Sequence, residues 1–159
     1  MLAGWVWVLA LSWPCLGFSE PTTQAAGHDI ERAVNCQLSD KELPGLLSHF
    51  KQAGAGGSLK RVAALALPTV DVYALAEPIV VQGTKVSSIA HMPARFLAVV
   101  PEEQGARMAK SLSLKTDAIT GAMRRELGNS RAWVAFRLHH EALRGKMLIG
   151  CEYQVAAAL

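Results

Sequence analysis

Two cysteines set the frame for this chain. Cys36 stands near one end of the sequence and Cys151 near the other, and a bridge between them would pull those ends together. A disulfide demands Cα atoms within about 7 Å, so it excludes any fold that leaves the two regions apart. Whether the bridge forms depends on compartment, because paired cysteines persist in oxidising surroundings and are rare in the cytosol. The third cysteine, Cys15, is odd in number until the N-terminus is considered.

Residues Leu2 to Phe18 carry no charge, and Trp5 to Leu11 is a continuous apolar run broken by Pro14 and Gly17. That is the layout of a secretory leader, with small residues at Gly17 and Ser19 fitting cleavage after Ser19, or after Ala26 as a second position. No Lys or Arg precedes the run, so only the terminal amine supplies positive charge. An uncleaved membrane anchor is the alternative, but a spanning helix needs about 20 apolar residues and this run stops at Pro14. Removing residues 1–19 removes Cys15 and leaves Cys36 and Cys151 to pair. Closing so long a loop is worth about 4 to 5 kcal/mol on loop-entropy grounds.

The sequence divides into a leader at residues 1–19, a flexible lead-in at 20–35 and one domain at 36–159. Its 159 residues suffice for a single domain. In the lead-in, Pro, Thr, Gln, Ala and Gly predominate. Ser39 and Glu42 have capping-box spacing, and Leu43, Leu46, Leu47 and Phe50 follow on one helical face. Gly54 to Ser58 reads as a link. From Val70 the period becomes two. Val70, Val72, Ala74 and Ala76 alternate with Asp71, Tyr73, Leu75 and Glu77, and Pro78 marks an edge or a bulge. Further strands are predicted at 85–90 and 95–100.

Glu102 and Glu103 suit a helix start, with the helix at 104–114. The spacing predicts a second helix over 117–127, with Ile119, Ala122, Met123 and Leu127 inward and Gly128-Asn129 as its cap. Two strands close the chain, one with Val134, Phe136 and Leu138 opposite Trp133, the other with Met147, Ile149, Cys151, Tyr153 and Val155 on one face. Strands grouped in this way predict an α+β domain, a small antiparallel sheet with helices packed on one face.

Chemistry is sparse. Ser48 and Lys51 form an S-x-x-K spacing, but the companion K-T-G is missing, since Asp117 follows Lys115-Thr116. The glycines near residue 55 lack phosphate-loop spacing. His139, His140 and Glu141 are the best metal candidates, yet adjacent strand residues point to opposite faces and a third ligand would have to come from afar, for instance His91. A net charge of +3 with only the short basic pairs Lys60-Arg61 and Arg124-Arg125 argues against nucleic acid as a partner. We therefore assign no catalytic, cofactor or metal residues from sequence.

Tyr73, Trp133 and His139 form a candidate binding surface: the two aromatics lie opposite the main apolar stripes, where they are either exposed contacts or core under the helices. The function expected is a periplasmic or secreted binding or accessory protein, non-catalytic and inhibitor-like, with an envelope protein or polymer as partner. A small exported enzyme using His91, His139 and His140 is the alternative. So is a membrane-tethered component, if the N-terminal segment stays attached.

Overall fold

The computed structural model describes residues 23–52, 59–65 and 67–154. The apolar leader, the Gly54–Ser58 link and Val155 lie outside the described residues. Two helices, α1 (Thr23–Val34) and α2 (Leu43–Gln52), precede strands β1 (Leu59–Arg61), β2 (Asp71–Val81), β3 (Thr84–Met92) and β4 (Arg95–Pro101). After α3 (Glu102–Ser111) come β5 (Lys115–Thr116), β6 (Met123–Gly128), β7 (Arg131–Phe136) and β8 (Lys146–Tyr153). All eight strands join one antiparallel sheet in the order β1-β2-β3-β4-β8-β7-β6-β5. The fold is thus α+β, as expected, but the sheet is large and dominates.

The three helices cover one face. Ile30, Val34, Leu46, Phe50, Met108 and Leu112 pack there against Ile89, Phe96, Trp133 and Ile149. Among the described residues no helix is long and apolar enough to cross a membrane. The other face is not left to solvent. Val72, Leu97, Val134 and Leu148 are buried on it, with Val62, Leu65, Leu67, Phe136 and Leu138 packed against them. Short 3-10 turns at Ala63–Leu65 and Glu141–Leu143 touch each other across this side. Central strands buried on both faces read as nearly continuous apolar runs, which explains Phe96-Leu97-Ala98 and Met147-Leu148-Ile149.

Residues expected to be a flexible lead-in form α1 instead. The reason lies in tertiary anchoring. Ile30, Ala33 and Val34 present an apolar face, and Asn35, just after the helix, donates to the Val80 carbonyl at 2.8 Å. Tyr153 donates its hydroxyl to the Ala33 carbonyl at 2.9 Å, and Arg131 reaches the Cys36 carbonyl at 2.9 Å. The Cys36–Cys151 disulfide is present, with Cα atoms 5.0 Å apart, and fastens the end of α1 to β8.

A second departure concerns residues 117–127. They form no helix; β5 and β6 make a hairpin instead, with Lys115 opposite Arg124 and Thr116 opposite Met123. Helical periodicity over 119–127 was outcompeted by turn chemistry, since Asp117, Thr120 and Gly121 all favour a loop. Pro78 does mark a bulge, where the β2–β3 register shifts between Ala74 and Ile79.

Candidate functional site

The three residues expected to form a binding surface do not come together. Tyr73 is buried on the helix side, its ring edge-on to Phe50 of α2 at 5.2 Å between centroids. Trp133 is buried in the same core, opposite Cys151 in the β7–β8 register. Both belong to the core because the sheet is covered on each face, so an offset from one apolar stripe does not mean exposure. Only His139 is exposed, in the β7–β8 connection.

The histidines divide into two places. His91 lies on β3 and stacks on Phe50, ring centroids 5.1 Å apart and planes 17° apart, with Phe96 tilted against it at 5.1 Å. Its Nε2 is buried without a hydrogen-bond partner, and burial pushes the imidazole below its ordinary value, against the opposing pull of Asp71. Asp71 sits opposite His91 in the ladder and is held by Arg61. His139 and His140 instead line an open cleft of about 390 Å³ with Glu141, Arg144 and Lys146. Among the described residues no three His, Cys, Asp or Glu side chains group as metal ligands. Ser48 of the S-x-x-K spacing spends its hydroxyl on the Pro44 carbonyl at 3.0 Å.

On the second face a row of charges contributed by three strands reaches from β4 over β8 and β7 to β6. Glu152 of β8 takes Arg95 of β4 on one oxygen and Arg124 of β6 on the other, and Arg124 also reaches Glu126. Burial raises the Glu152 carboxyl, but the hydrogen bonds from Arg124 and Arg95 outweigh it and hold the group below its ordinary value. Arg95 also lies over the Phe136 ring at 5.5 Å. All four charges are matched within this row, so it clamps strands together and leaves little to attract a ligand.

The feature that sequence reading missed is the loop between β5 and β6. Ile119 at its tip is 95% exposed, while its surroundings are fixed. One oxygen of Asp117 accepts from the Ile119 and Thr120 amides at 2.9 and 2.7 Å and from the Thr120 hydroxyl at 3.0 Å. The Asp117 amide donates to the Ala122 carbonyl at 2.7 Å, and the Gly121 amide returns to the Asp117 carbonyl at 2.9 Å. Gly121 has φ +69°, a conformation that suits glycine. Hydrogen bonds from the Thr120 amide, its hydroxyl and the Ile119 amide hold the Asp117 carboxyl below its usual range. The signal was legible as Asp-x-x-Thr-Gly, a turn motif, but an apolar Ile in its middle invited a helical reading. Comparison with family models, with curated proteins and with solved structures finds no match to this chain.

Proposed function

We propose that the protein is an exported, non-catalytic binding module of the cell envelope, periplasmic or secreted, that engages a partner protein through the Asp117–Ala122 loop. One observation carries this reading: a large aliphatic side chain stands 95% exposed on a loop that its own hydrogen bonds already hold in shape. A pre-ordered loop loses little conformational freedom on binding, which is how inhibitor-like loops gain affinity. Burying an isoleucine in a partner's apolar pocket contributes about 1.5 to 3 kcal/mol, or about 10- to 150-fold in affinity. Export rests on the uncharged apolar N-terminus, and a bridge between cysteines far apart in sequence suits an oxidising compartment.

The test compares three immobilised proteins: wild type, Ile119→Val and Ile119→Asp. Each is exposed to the same native envelope fraction, and the bound species are identified by mass spectrometry. A species retained by the first two and lost from the third supports the reading. Identical bound sets for all three would sink it. The mass of the exported protein tests the compartment separately, with loss of residues 1–19 as the expected result.

A further inference from the structure

A rift opens inside the sheet. Strands β3 and β4 are paired only from Ile89 opposite Ala98 to Met92 opposite Arg95. Beyond Ile89 the β3 segment Lys85–Ser88 stays with β2, while Val99–Pro101 stays with β8. The parting coincides with the β2 bulge, where Leu75 to Pro78 intervene between the pairs Ala74–Ser88 and Ile79–Val86. The bulge carries the far end of the β2–β3 hairpin away from β4. Backbone groups that β3 and β4 would otherwise exchange here find no ladder partner across the gap, and such groups need water or a ligand.

The gap forms a groove of about 320 Å³. Its apolar lining includes Leu65, Val86, Val99, Val100 and Leu143, and polar Ser87, Ser88 and Gln104 also face it. That volume lies within the range of small-molecule sites. The groove shares Leu143 and Lys146 with the open cleft of the β7–β8 connection, so the apolar groove and the polar cleft adjoin at Lys146.

The cleft is cationic. Arg137 is taken by Glu102 at 2.8 Å, and Arg144 lies 3.8 Å from Glu141. Among the described residues, Lys146 at the junction and Lys85 at the groove wall have no carboxylate partner. His140 uses Nδ1 to accept the Ala142 amide at 3.2 Å, so Nε2 is the ring nitrogen left over for a ligand.

The geometry points to a binding site for an amphiphilic anion: an aliphatic chain in the β3–β4 rift and a carboxylate or phosphate head at Lys146, with His140 and Arg144 beside it. The site owes nothing to the Ile119 loop, which lies beyond β8 and β7 in the strand order.

The full chain, with its disulfide intact, is titrated with decanoate, decyl phosphate and decanol, and backbone amide NMR shifts are followed. The expected result is saturable binding of at least one anion, with shifts at Ser87, Ser88, Val99 and Lys146 and no change in far-UV circular dichroism. Preference between the two anions then tells a fatty acid from a phosphate-headed lipid. Lys146→Gln, a change at an exposed strand end, should weaken the anions about tenfold or more while leaving decanol unchanged. Absence of binding up to millimolar concentration would overturn the assignment. So would shifts centred on α1 and α2 rather than on the rift, or equal affinity for decanol and the anions in wild type and variant alike.

Discussion

Among the glycines of the described residues, Gly150 should be the one where an added methyl does most damage. A Cβ at that position would sit 2.2 Å from the Phe96 carbonyl oxygen and 2.9 Å from the Leu97 Cα. Both are backbone atoms of β4, so no side chain can swing aside. Restoring ordinary contact requires β4 and β8 to part by about 1 Å, and Gly150 is paired on both sides, with Leu97 and with Val134. Losing about two ladder hydrogen bonds at about 1 kcal/mol each, with overpacking of about 1 to 3 kcal/mol, gives a loss of about 3 to 5 kcal/mol. That is a large share of the about 5 to 15 kcal/mol that holds a domain folded. Urea unfolding followed by far-UV circular dichroism, and by fluorescence of the buried Trp133, reads it directly. Gly105→Ala is the control. Its new Cβ would meet both Cβ and Sδ of Met147 at 2.7 Å. The Sδ can swing aside but the Cβ is fixed to β8, so α3 must shift slightly. With about 1 kcal/mol of helix propensity gained against about 1 to 3 kcal/mol of overpacking, the net loss should be about 1 to 2 kcal/mol. If Gly150→Ala lost less than about 1 kcal/mol with an unchanged urea slope, the close approach of β4 and β8 would be wrong.

Other outcomes follow from the same geometry. Replacing Cys36 and Cys151 together by serine and alanine should cost about 4 to 5 kcal/mol, from the loop their bridge closes, and urea midpoints with and without reductant should converge for that variant alone. His91 should make the protein acid-sensitive. Its folded value is depressed by burial, so its contribution is intact above the ordinary imidazole value near 6.5, and is lost as pH falls from there through the folded value. Thermal midpoints at pH 7.5 and 5 should differ less for His91→Phe than for wild type, and an equal difference would remove His91 as the cause. Glu42, hydrogen-bonded by Arg32 and Ser39, should titrate at about 2 in carbon-detected NMR, and Arg32→Ala should move it back toward ordinary carboxylates. Ala94 holds φ +60° in the β3–β4 turn, so Ala94→Gly should be neutral or stabilising by up to about 1 kcal/mol, where glycine elsewhere in this sheet would destabilise.

Export aside, what could be read from sequence was whatever local pattern decides. The capping residues Ser39 and Glu42 do bond at the start of α2, Pro78 does sit in a bulge, and the apolar side of β8 carries Cys151 to its partner as its period-two spacing implied. The misses share one cause. Residues 23–34 look like a tail until Tyr153, Arg131 and the strand edge at Val80 supply partners for their helix end, and those partners are far away in sequence. Residues 117–127 have a helical stripe, but Met123, Arg124 and Arg125 are claimed as strand by β7. Period-two alternation puts Tyr73 and Trp133 on the correct side of their strands relative to Val72 and Val134. That side turned out to be the helix-covered core, because alternation gives relative faces and cannot tell which is wet when both are covered. The rift between β3 and β4 had no local signature beyond Pro78, since it arises where two ladders diverge. The Ile119 loop was legible in its turn residues and obscured by its one apolar one.

The place of β8 has a consequence for how this protein comes into being. The last described strand lies fourth from one edge of the sheet, between β4 and β7, with Cys151 near its end. A growing chain that has exposed everything up to residue 145 therefore has two half-sheets, each with a long apolar edge, and a single Cys36 still without its partner. Neither half can be completed by the other until the final strand threads between them. Synthesis thus passes through a stage in which open strand edges invite pairing with other chains, and the bridge can close only after that stage is over. Oxidation at Cys36 with the correct partner is in effect a receipt for a finished sheet. A chain interrupted short of β8 should be recognisable to the cell by a free thiol and two bare edges.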